Sequence, residues 1–417
     1  MKIANQRLCP LPVSSLACAV SATVLLSLST PSQAFQIDTG NPDLSASWDN
    51  TIKYSNAWRV NKLDHKVAVG PGTANSNPNL DDGDRNFDRG LISNRLDLLS
   101  EFDIKYKDVG ARLSAASWYD NVYSHDNDND SPGTANSVSV NHDEFTSDTR
   151  RIHGQRTEIL DAFVYHNYSI ADEPGSVRLG KQVVSWGEST FIGGGINSIN
   201  PIDVSAFRRP GAEVKEGLIP VNMFYISQNL TENLSAEAFY QLEWDQTVTD
   251  NCGTFFSQPD NISDGCDDNL RLLAKRSTIT ATAPGRAALA AMQARGVDVN
   301  EEGALVRRSG DRDARDSGQF GVAFRYNFEP LDTEFGAYFM NYHSRAPIFS
   351  ATGAPQSAYT IAPGFGTLAP VWIAGNSKYF VEYPEDIRLY GLSFSTTLPT
   401  GTAWSGELSY RPNAPVQ

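Results

Sequence analysis

The sequence has few cysteines, few basic residues and no long apolar run beyond its N-terminal region. Four of the 417 residues are cysteine, and 34 Lys and Arg stand against 49 Asp and Glu, for a formal net charge of −15. This balance argues against a nucleic-acid partner, because phosphates are bound by clustered Lys and Arg. A helical membrane protein is also excluded, since no stretch after residue 34 approaches ~20 consecutive apolar residues.

The first 34 residues have the three parts of a bacterial secretory signal peptide. Lys2 and Arg7 form a basic start, an apolar run extends to Leu28, and a small-x-small site ends at Ala34. We therefore expect residues 1–34 to be cleaved and the mature chain to begin at Phe35. A membrane anchor is the weaker alternative, because the apolar run is short and rich in serine.

Two cysteines remain after this segment, and an even pair in an exported chain indicates a disulfide. Cys252 and Cys266 lie 14 positions apart in a stretch rich in Gly, Asp and Asn. No histidine is near them, so a metal site is the less favoured interpretation. The pair predicts a bridge that closes a surface loop.

Along the mature chain, apolar and polar residues alternate with a period of two over long segments. In residues 44–60 the even positions are mostly apolar or aromatic and the odd positions are polar. Such alternation indicates strands that meet a different environment on each face. Eleven strands are predicted: 44–60, 92–106, 109–120, 158–170, 176–186, 220–228, 234–244, 320–328, 333–343, 387–396 and 403–411.

The connections between these strands alternate strictly between short turns and long loops. The five long ones are 61–91, 121–157, 187–219, 245–319 and 344–386. This arrangement is typical of a transmembrane antiparallel β-barrel, an all-β fold with short periplasmic turns and long extracellular loops in the outer membrane. A soluble β-sandwich is the alternative, but its strands are shorter and nothing places its long loops at one end.

The strand count raises the question of how the barrel closes. Bacterial single-chain barrels have even strand numbers, whereas eleven strands are predicted here. The sequence also stops at residues 412–417 without a terminal aromatic residue. Either one strand is miscounted, or residues 35–417 are the N-terminal portion of a longer barrel; we favour the second interpretation.

Three segments resemble the domain-of-unknown-function 1302 family of proteobacteria. They are residues 44–51 (LSASWDNT), residues 177–189 (VRLGKQVVSWGES) and residues 200–216 (NPIDVSAFRRPGAEVKE). The resemblance covers essentially all of the mature chain and implies an outer-membrane barrel, generally longer than this one. It also implies envelope lipid-carrier or exporter proteins as partners and a role with apolar molecules or envelope lipids.

The third long loop, residues 187–219, carries the candidate functional residues. Glycines make its first half pliable, and its second half places mixed charges within nine residues: Arg208, Arg209, Glu213, Lys215 and Glu216. Barrels of porin size often fold one loop inward, where charged side chains set selectivity. We expect this loop to narrow the lumen; the alternative is that these charges pair on the outer surface.

Other polar residues fit the hydrated interior of a barrel and no single one defines a site. Those predicted to face inward are Arg95, Asp97, Glu101, Asp103, Lys105, Glu237 and Glu243. The aromatic residues near strand ends, predicted to form interfacial girdles, are Trp48, Trp58, Tyr106 and Trp244.

Two loop segments suggest further features. Residues 126–130 (DNDND) begin like a calcium loop, but Ser131 replaces the glycine and Ser137 the closing glutamate, so a solvated acidic loop is favoured. Residues 284–295 are rich in alanine, with Pro284 early and Gly296 just beyond, which predicts a short helix in the fourth loop.

No constellation for catalysis is recognisable. The six histidines do not show ligand spacing on one strand face, and no Gly-x-Ser-x-Gly, HExxH or phosphate-loop motif is present. The sequence therefore predicts a non-enzymatic protein without a cofactor: a passive outer-membrane channel or transporter for small apolar or amphipathic solutes. A non-conducting barrel that assists envelope lipid trafficking or assembly is the alternative, and a membrane lipase or protease the third class.

Overall fold

A computed structural model describes residues 35–64, 79–80, 82–133, 135–188, 194–209, 214–263, 265–266 and 269–415. The predicted signal peptide lies outside these residues. Strands dominate the described part, in chain order β1 (Phe35–Ile37), β2 (Leu44–Arg59), β3 (Gly90–Tyr106), β4 (Val109–Asp120), β5 (Gln155–Ile170), β6 (Glu173–Gln182), β7 (Val221–Thr231), β8 (Leu234–Gln241), β9 (Asn269–Leu272), β10 (Val299–Asn300), β11 (Gly303–Arg308), β12 (Phe320–Phe328), β13 (Thr333–Tyr342), β14 (Ile348–Thr352), β15 (Lys378–Glu382), β16 (Ile387–Thr397) and β17 (Ala403–Tyr410).

Short helices occupy the connections. They are α1 (Asp82–Arg85), α2 (Ser147–Thr149), α3 (Val204–Phe207), α4 (Val214–Gly217), α5 (Arg276–Thr280), α6 (Ala283–Gln293), α7 (Gln356–Ile361) and α8 (Ala369–Asn376), with single turns of other helix types at Asn121–Ser124, Arg150–Gly154, Glu329–Leu331 and Ala362–Leu368. None of the helices in the described ranges is long and apolar enough to cross a bilayer.

The largest element is an antiparallel sheet of twelve strands in the order β1-β2-β3-β4-β5-β6-β7-β8-β12-β13-β16-β17. All eleven predicted strands are in it, and the prediction missed only the three-residue β1. Its strands follow one another in chain order, joined alternately by tight turns and by the five long loops. In the β5–β6 turn, Ala171 and Asp172 have φ of 53° and 68°, the positive values of a two-residue type I′ hairpin.

Two predicted strands end early because distant groups take their hydrogen bonds. The β6 strand stops at Gln182, and two residues later Val184 N–H donates to the Asn200 side chain at 3.0 Å. The β8 strand stops at Gln241, and Trp244 N–H donates to Asp316 at 2.9 Å. Trp244 then packs on Tyr383, 4.7 Å between ring centroids, so its predicted place in a girdle is wrong.

The two faces of the large sheet differ in chemistry, as the alternation predicts. One face, here called the outer face, exposes large apolar side chains on every strand from β2 to β17 of this sheet. Among them are Trp48, Ile52, Tyr54, Trp58, Leu96, Leu98, Leu113, Ile159, Val164, Leu179, Phe224, Tyr240, Phe324, Phe335, Leu392 and Leu408. The inner face carries ion pairs and the third long loop.

The sheet curves around this loop. Glu188 lies six residues beyond the end of β6, yet its N–H donates to Glu407 of β17 at 3.0 Å. Six strand intervals separate β6 from β17, about 29 Å in a flat sheet at ~4.8 Å each. Six extended residues reach only about 20 Å. The inner face is therefore concave, with the third long loop inside the curve.

The fourth and fifth long loops are not the open polar segments that the sequence suggested. Strands β9, β10, β11, β14 and β15 form a separate sheet in which β11 and β15 run parallel. Helix α6 confirms the predicted helix with its ends shifted by one or two residues; Thr282 caps its N-terminus through Gly285 N–H at 3.1 Å. Leu289 and Met292 of α6 pack with Trp372 of α8 in a common core.

Candidate functional site at the third long loop

The third long loop is fixed to its own strands by Asn200. Its side-chain amide donates to Ile219 O at 2.9 Å and to Gln182 O at 3.3 Å. The two arms of the loop also bond to each other, through Ile219 N–H to Pro201 O and Asp203 N–H to Gly217 O, both at 2.9 Å. These bonds make a hairpin whose tip, in the described residues 203–209 and 214–217, projects over the inner face.

Asp203 organises the tip. One carboxylate oxygen caps α3 by accepting the Ala206 N–H at 3.1 Å, and the other accepts Arg209 Nη2 at 2.9 Å. An aspartate at this position satisfies an amide that would otherwise lack a partner at the helix start. The tip is also paired with the fourth loop, because Val204 N–H donates to Val248 O at 2.8 Å.

Arg209 lies beside a second arginine that belongs to the wall of the sheet. The guanidinium carbons of Arg209 and Arg95 are 5.6 and 4.7 Å from the ring of Trp118 on β4. Arg95 projects from β3, is 5% exposed, and its Nε donates to Asp97 at 2.8 Å. Two cations therefore share one indole, at a point where the loop meets the strands.

Arg208 points to the fourth loop. Its Nη1 is 2.9 Å from Asp250 and donates to Phe256 O at 3.0 Å, and its guanidinium lies 5.2 Å from the Phe256 ring centroid. Glu216, on the other arm of the tip, accepts two hydrogen bonds from Lys53 Nζ on β2, at 2.9 and 3.1 Å. The tip is thus held by one ion pair to the fourth loop and one to the β2 wall.

The structure brings together three of the five residues predicted for this site. Arg208, Arg209 and Glu216 all lie on the inward-folded tip and pair with groups on other segments. Glu213 and the side chain of Lys215 lie outside the described residues. The important partners were not singled out from the sequence: Trp118 and Asp250 lie far from the arginine pair in the chain, and nothing marked Asp203, five residues before Arg208, as the partner of Arg209.

These groups line a partly open cavity of about 80 Å³ between the tip, strands β2–β4 and the fourth loop. Its lining combines three arginines with apolar and aromatic side chains. Its lining residues are Ser55, Ala57, Ile92, Ser93, Arg95, Asp120, Tyr123, His153, Ser205, Arg208, Arg209, Asp250, Thr254, Phe255 and Phe256.

The electrostatics of the cavity are set by burial. Burial, together with the positive charge of Arg209, lowers the pKa of His153 to about 4, so the ring is neutral at pH 7. Burial raises the pKa of Asp250, an effect that its neighbour Arg208 opposes. The Asp120 carboxylate accepts hydrogen bonds from Ser93 Oγ and from the backbone N–H groups of Asn94 and Val122.

The stem of the third loop packs against the other half of the inner face. Trp186 is fully buried and its Nε1 donates to Glu237 of β8 at 2.6 Å. Ile196 and Ile199 of the loop join one apolar cluster with side chains of β7, β8, β12, β13 and β16, among them Met223, Phe239, Tyr338, Met340 and Leu389. This part of the concave face is filled.

The remaining inner wall carries ion-pair networks, as predicted for its polar residues. Arg112 of β4 pairs with Glu101, with Asp103 at 3.0 Å and with Asp161 at 3.1 Å. On the opposite side, Arg325 of β12 pairs with Glu237 and Glu334, both at 3.1 Å. Below the first network, toward the short turns, an open cavity of about 670 Å³ follows β1, β2 and β3.

The first, second and fourth long loops interlock above the site. Cys252 and Cys266 form the predicted disulfide, with 5.1 Å between their Cα atoms. Thr149 of the second loop donates to Cys252 O at 3.1 Å, and Asn86 of the first loop donates to Gly253 O at 2.9 Å. The disulfide therefore stabilises a cap built from three loops.

The acidic segment 126–130 is part of this cap. Asp130 pairs with Arg85 at 3.3 Å, and Asp128 accepts the Asp88 N–H at 2.8 Å. In the described ranges no group of three or more His, Cys, Asp and Glu side chains is placed to hold a metal ion. The two carboxylates thus connect the second long loop to the first.

His343 is held by backbone groups on both sides of its ring. It is fully buried directly after β13, with Nε2 2.9 Å from Ser317 O and Nδ1 accepting the Asp386 N–H at 3.0 Å. Both ring nitrogens are thereby occupied. The neighbouring Ser344 hydroxyl donates to Ala346 O at 2.8 Å.

Comparisons with known proteins give a family but no activity. No curated protein matches the sequence. Among solved structures, a mutant of the ferric enterobactin receptor from Pseudomonas aeruginosa is similar at 10% identity and a TM-score of 0.33. The match covers 90% of this chain and 42% of the receptor, so the chain spans less than half of that protein. The family model described as a protein of unknown function (DUF1302) matches residues 15–417, and the chain belongs to this family.

Proposed function

We propose that the protein is an outer-membrane β-barrel that passes small apolar or amphipathic solutes passively, with residues 187–219 as its constriction. The support for a membrane location is the outer face, where apolar side chains such as Ile52 (73% exposed) and Leu392 (59% exposed) cover strand after strand. A soluble protein rarely exposes so extended an apolar surface to water, whereas the lipid chains of a bilayer would cover it.

The observation that carries the constriction is the position of the third long loop. It leaves β6, contacts β17 through Glu188, and reaches β2 through the pair between Glu216 and Lys53. One loop thus contacts strands near both ends of the sheet from inside the curve. A solute moving along the inner face has to pass its tip, where Arg95, Arg208 and Arg209 meet aromatic rings.

A proteoliposome swelling assay tests this function with solutes of increasing size. Wild-type protein should admit small apolar and amphipathic solutes. Replacing Lys53→Gln together with Glu216→Gln should raise the size limit, because the tip loses its ion pair with the β2 wall. The matched control is Asp148→Asn with Arg151→Gln, which removes an exposed ion pair 3.2 Å long on the second loop and should leave the size limit unchanged.

A second function is favoured by one observation: the apolar cluster around Trp186 fills the concave face along β7, β8, β12, β13 and β16. A barrel filled in this way fits a non-conducting partner of envelope lipid-carrier or exporter proteins. If proteoliposomes with correctly folded wild-type protein swell in none of the solutes, the channel proposal is overturned and this second function is supported.

A further inference from the structure

We infer that the cavity at the loop tip binds the carboxylate head of an amphipathic acid, a specificity that rests on the proposed function. The central residue is Arg95, which is 5% exposed and lines the cavity. Its Nε is bonded to Asp97, but its buried Nη2 has no hydrogen-bond partner among the described residues. A buried donor without a partner is costly, and guanidinium groups match carboxylate oxygens.

The surroundings favour an anion over a neutral acceptor. Arg209 places a second positive charge on the same Trp118 ring, so the two guanidinium groups repel each other. The acidic groups near the cavity already accept from protein donors: Asp203 holds Arg209, Asp250 holds Arg208, Asp120 accepts from Ser93 and two backbone N–H groups, and Asp97 accepts Arg95 Nε through one of its oxygens. A carboxylate at Arg95 Nη2 would supply the missing acceptor and reduce this repulsion.

A second unpaired group faces the same space. The buried Nε2 of His153 has no hydrogen-bond partner in the described part of the chain, and the ring lines the cavity. In its neutral form one ring nitrogen carries a proton and can donate to an acceptor. Arg95 and His153 thus offer two donors to one head group.

The rest of the cavity suits an apolar tail. Ile92, Tyr123, Phe255 and Phe256 also line it. The volume of about 80 Å³ accommodates a carboxylate and a few carbons, and the open side leaves room for the rest of a chain. An amphipathic acid would therefore enter head first, with its tail along the aromatic rings.

Calorimetric titration of hexanoate into the full chain in detergent tests the site. Arg95→Gln should weaken hexanoate binding about tenfold or more, because a charge-assisted hydrogen bond is lost. The matched control Arg325→Gln removes an inner-wall arginine outside the cavity and should leave binding unchanged. Hexanol, which has no charge, should bind the wild type more weakly than hexanoate does. Arg95→Gln should bind hexanol and hexanoate with equal affinity.

Equal hexanoate affinity in wild type and Arg95→Gln, or hexanol binding as tightly as hexanoate, would overturn the proposal. If Arg95→Gln does not fold, Ala57→Leu replaces it: this change fills the cavity from β2 without removing an ion pair and should abolish binding. Binding without solute passage in the swelling assay would keep this site and overturn the channel. Passage without hexanoate binding would keep the channel and overturn the site.

Discussion

Replacing Arg345 should detach the third long loop and the fourth loop from the sheet. The side chain is 7% exposed, and it connects three parts of the protein. Its Nη1 donates to Asp245 O at 2.7 Å, and its Nη2 donates to Ile199 O at 2.8 Å and to Gln241 Oε1 at 2.6 Å. Burial lowers its pKa only to about 10, so it is charged at pH 7.

The magnitude follows from the acceptors that Arg345→Met leaves behind. Ile199 O keeps a donor, Gln241 Nε2 at 2.8 Å, whereas Asp245 O and Gln241 Oε1, whose side chain is 1% exposed, lose the arginine. At ~1–3 kcal/mol for each buried group without a partner, the loss is about 3 kcal/mol. The variant also gains stability, because methionine has no charge to desolvate on folding. This gain keeps the loss of unfolding free energy near ~3 kcal/mol rather than above it.

Urea unfolding monitored by tryptophan fluorescence measures this loss. Arg388→Met is the control, because Arg388 is an exposed residue at the start of β16. A surface change of this kind lowers the free energy of unfolding by less than about 0.5 kcal/mol. A loss below 1 kcal/mol for Arg345→Met would contradict the account, since it would mean that these carbonyls find other partners without help from the arginine.

Three further predictions concern the outer face, the cavity and the cap. Ile52→Arg on the outer face of β2 should lower the free energy of unfolding in phospholipid vesicles by about 2–4 kcal/mol, whereas Thr51→Arg on the inner face should not; equal effects would contradict a lipid-facing surface. His153 has a folded-state pKa of about 4, below the ordinary ~6.5, so the unfolded state binds the proton more readily between these values. Stability should therefore fall, by up to about 3 kcal/mol, as pH drops from 7 to 4, and His153→Gln should remove this part of the urea-measured pH dependence; an unchanged dependence refutes it. Cys252→Ser with Cys266→Ser should cost about 3 kcal/mol, the value for a loop of this length, and wild type in reductant should unfold like the variant; a Tm unaffected by both would show that the cap does not depend on the bridge.

The sequence predicts the large sheet well because each strand separates two environments. Residues 44–60 alternate over their whole length, and β2 follows that segment to within one residue. The ends of β6 and β8 were wrong because Asn200 and Asp316 cap them from outside the strands. Periodicity carries no information about such partners.

The separate sheet in the fourth and fifth long loops was not predicted from the sequence, for a related reason. Its strands have two to six residues, and β11 pairs with β15 about 70 positions later in the chain. Strand β11 is buried along most of its length, so it shows no alternation. A short apolar run of this kind does not reveal its partner or its type.

The site was predicted in part, since charge density alone pointed to Arg208, Arg209 and Glu216. What each of them contacts depends on the curvature of the sheet, which brings Lys53 and Trp118 to the loop tip. The inward position of Arg95 followed from alternation on β3. Its unpaired Nη2 could not be predicted, because it depends on the packing of three loops.

The central claim is that the third long loop narrows a lumen, and single-channel conductance in a planar bilayer tests it most directly. Wild-type protein should show steady conductance, and Arg208→Ala with Arg209→Ala should increase it or change its ion preference, because two positive charges leave the narrowest part. A folded protein that passes no current, or a pore whose conductance and ion preference are the same in both forms, would contradict the claim.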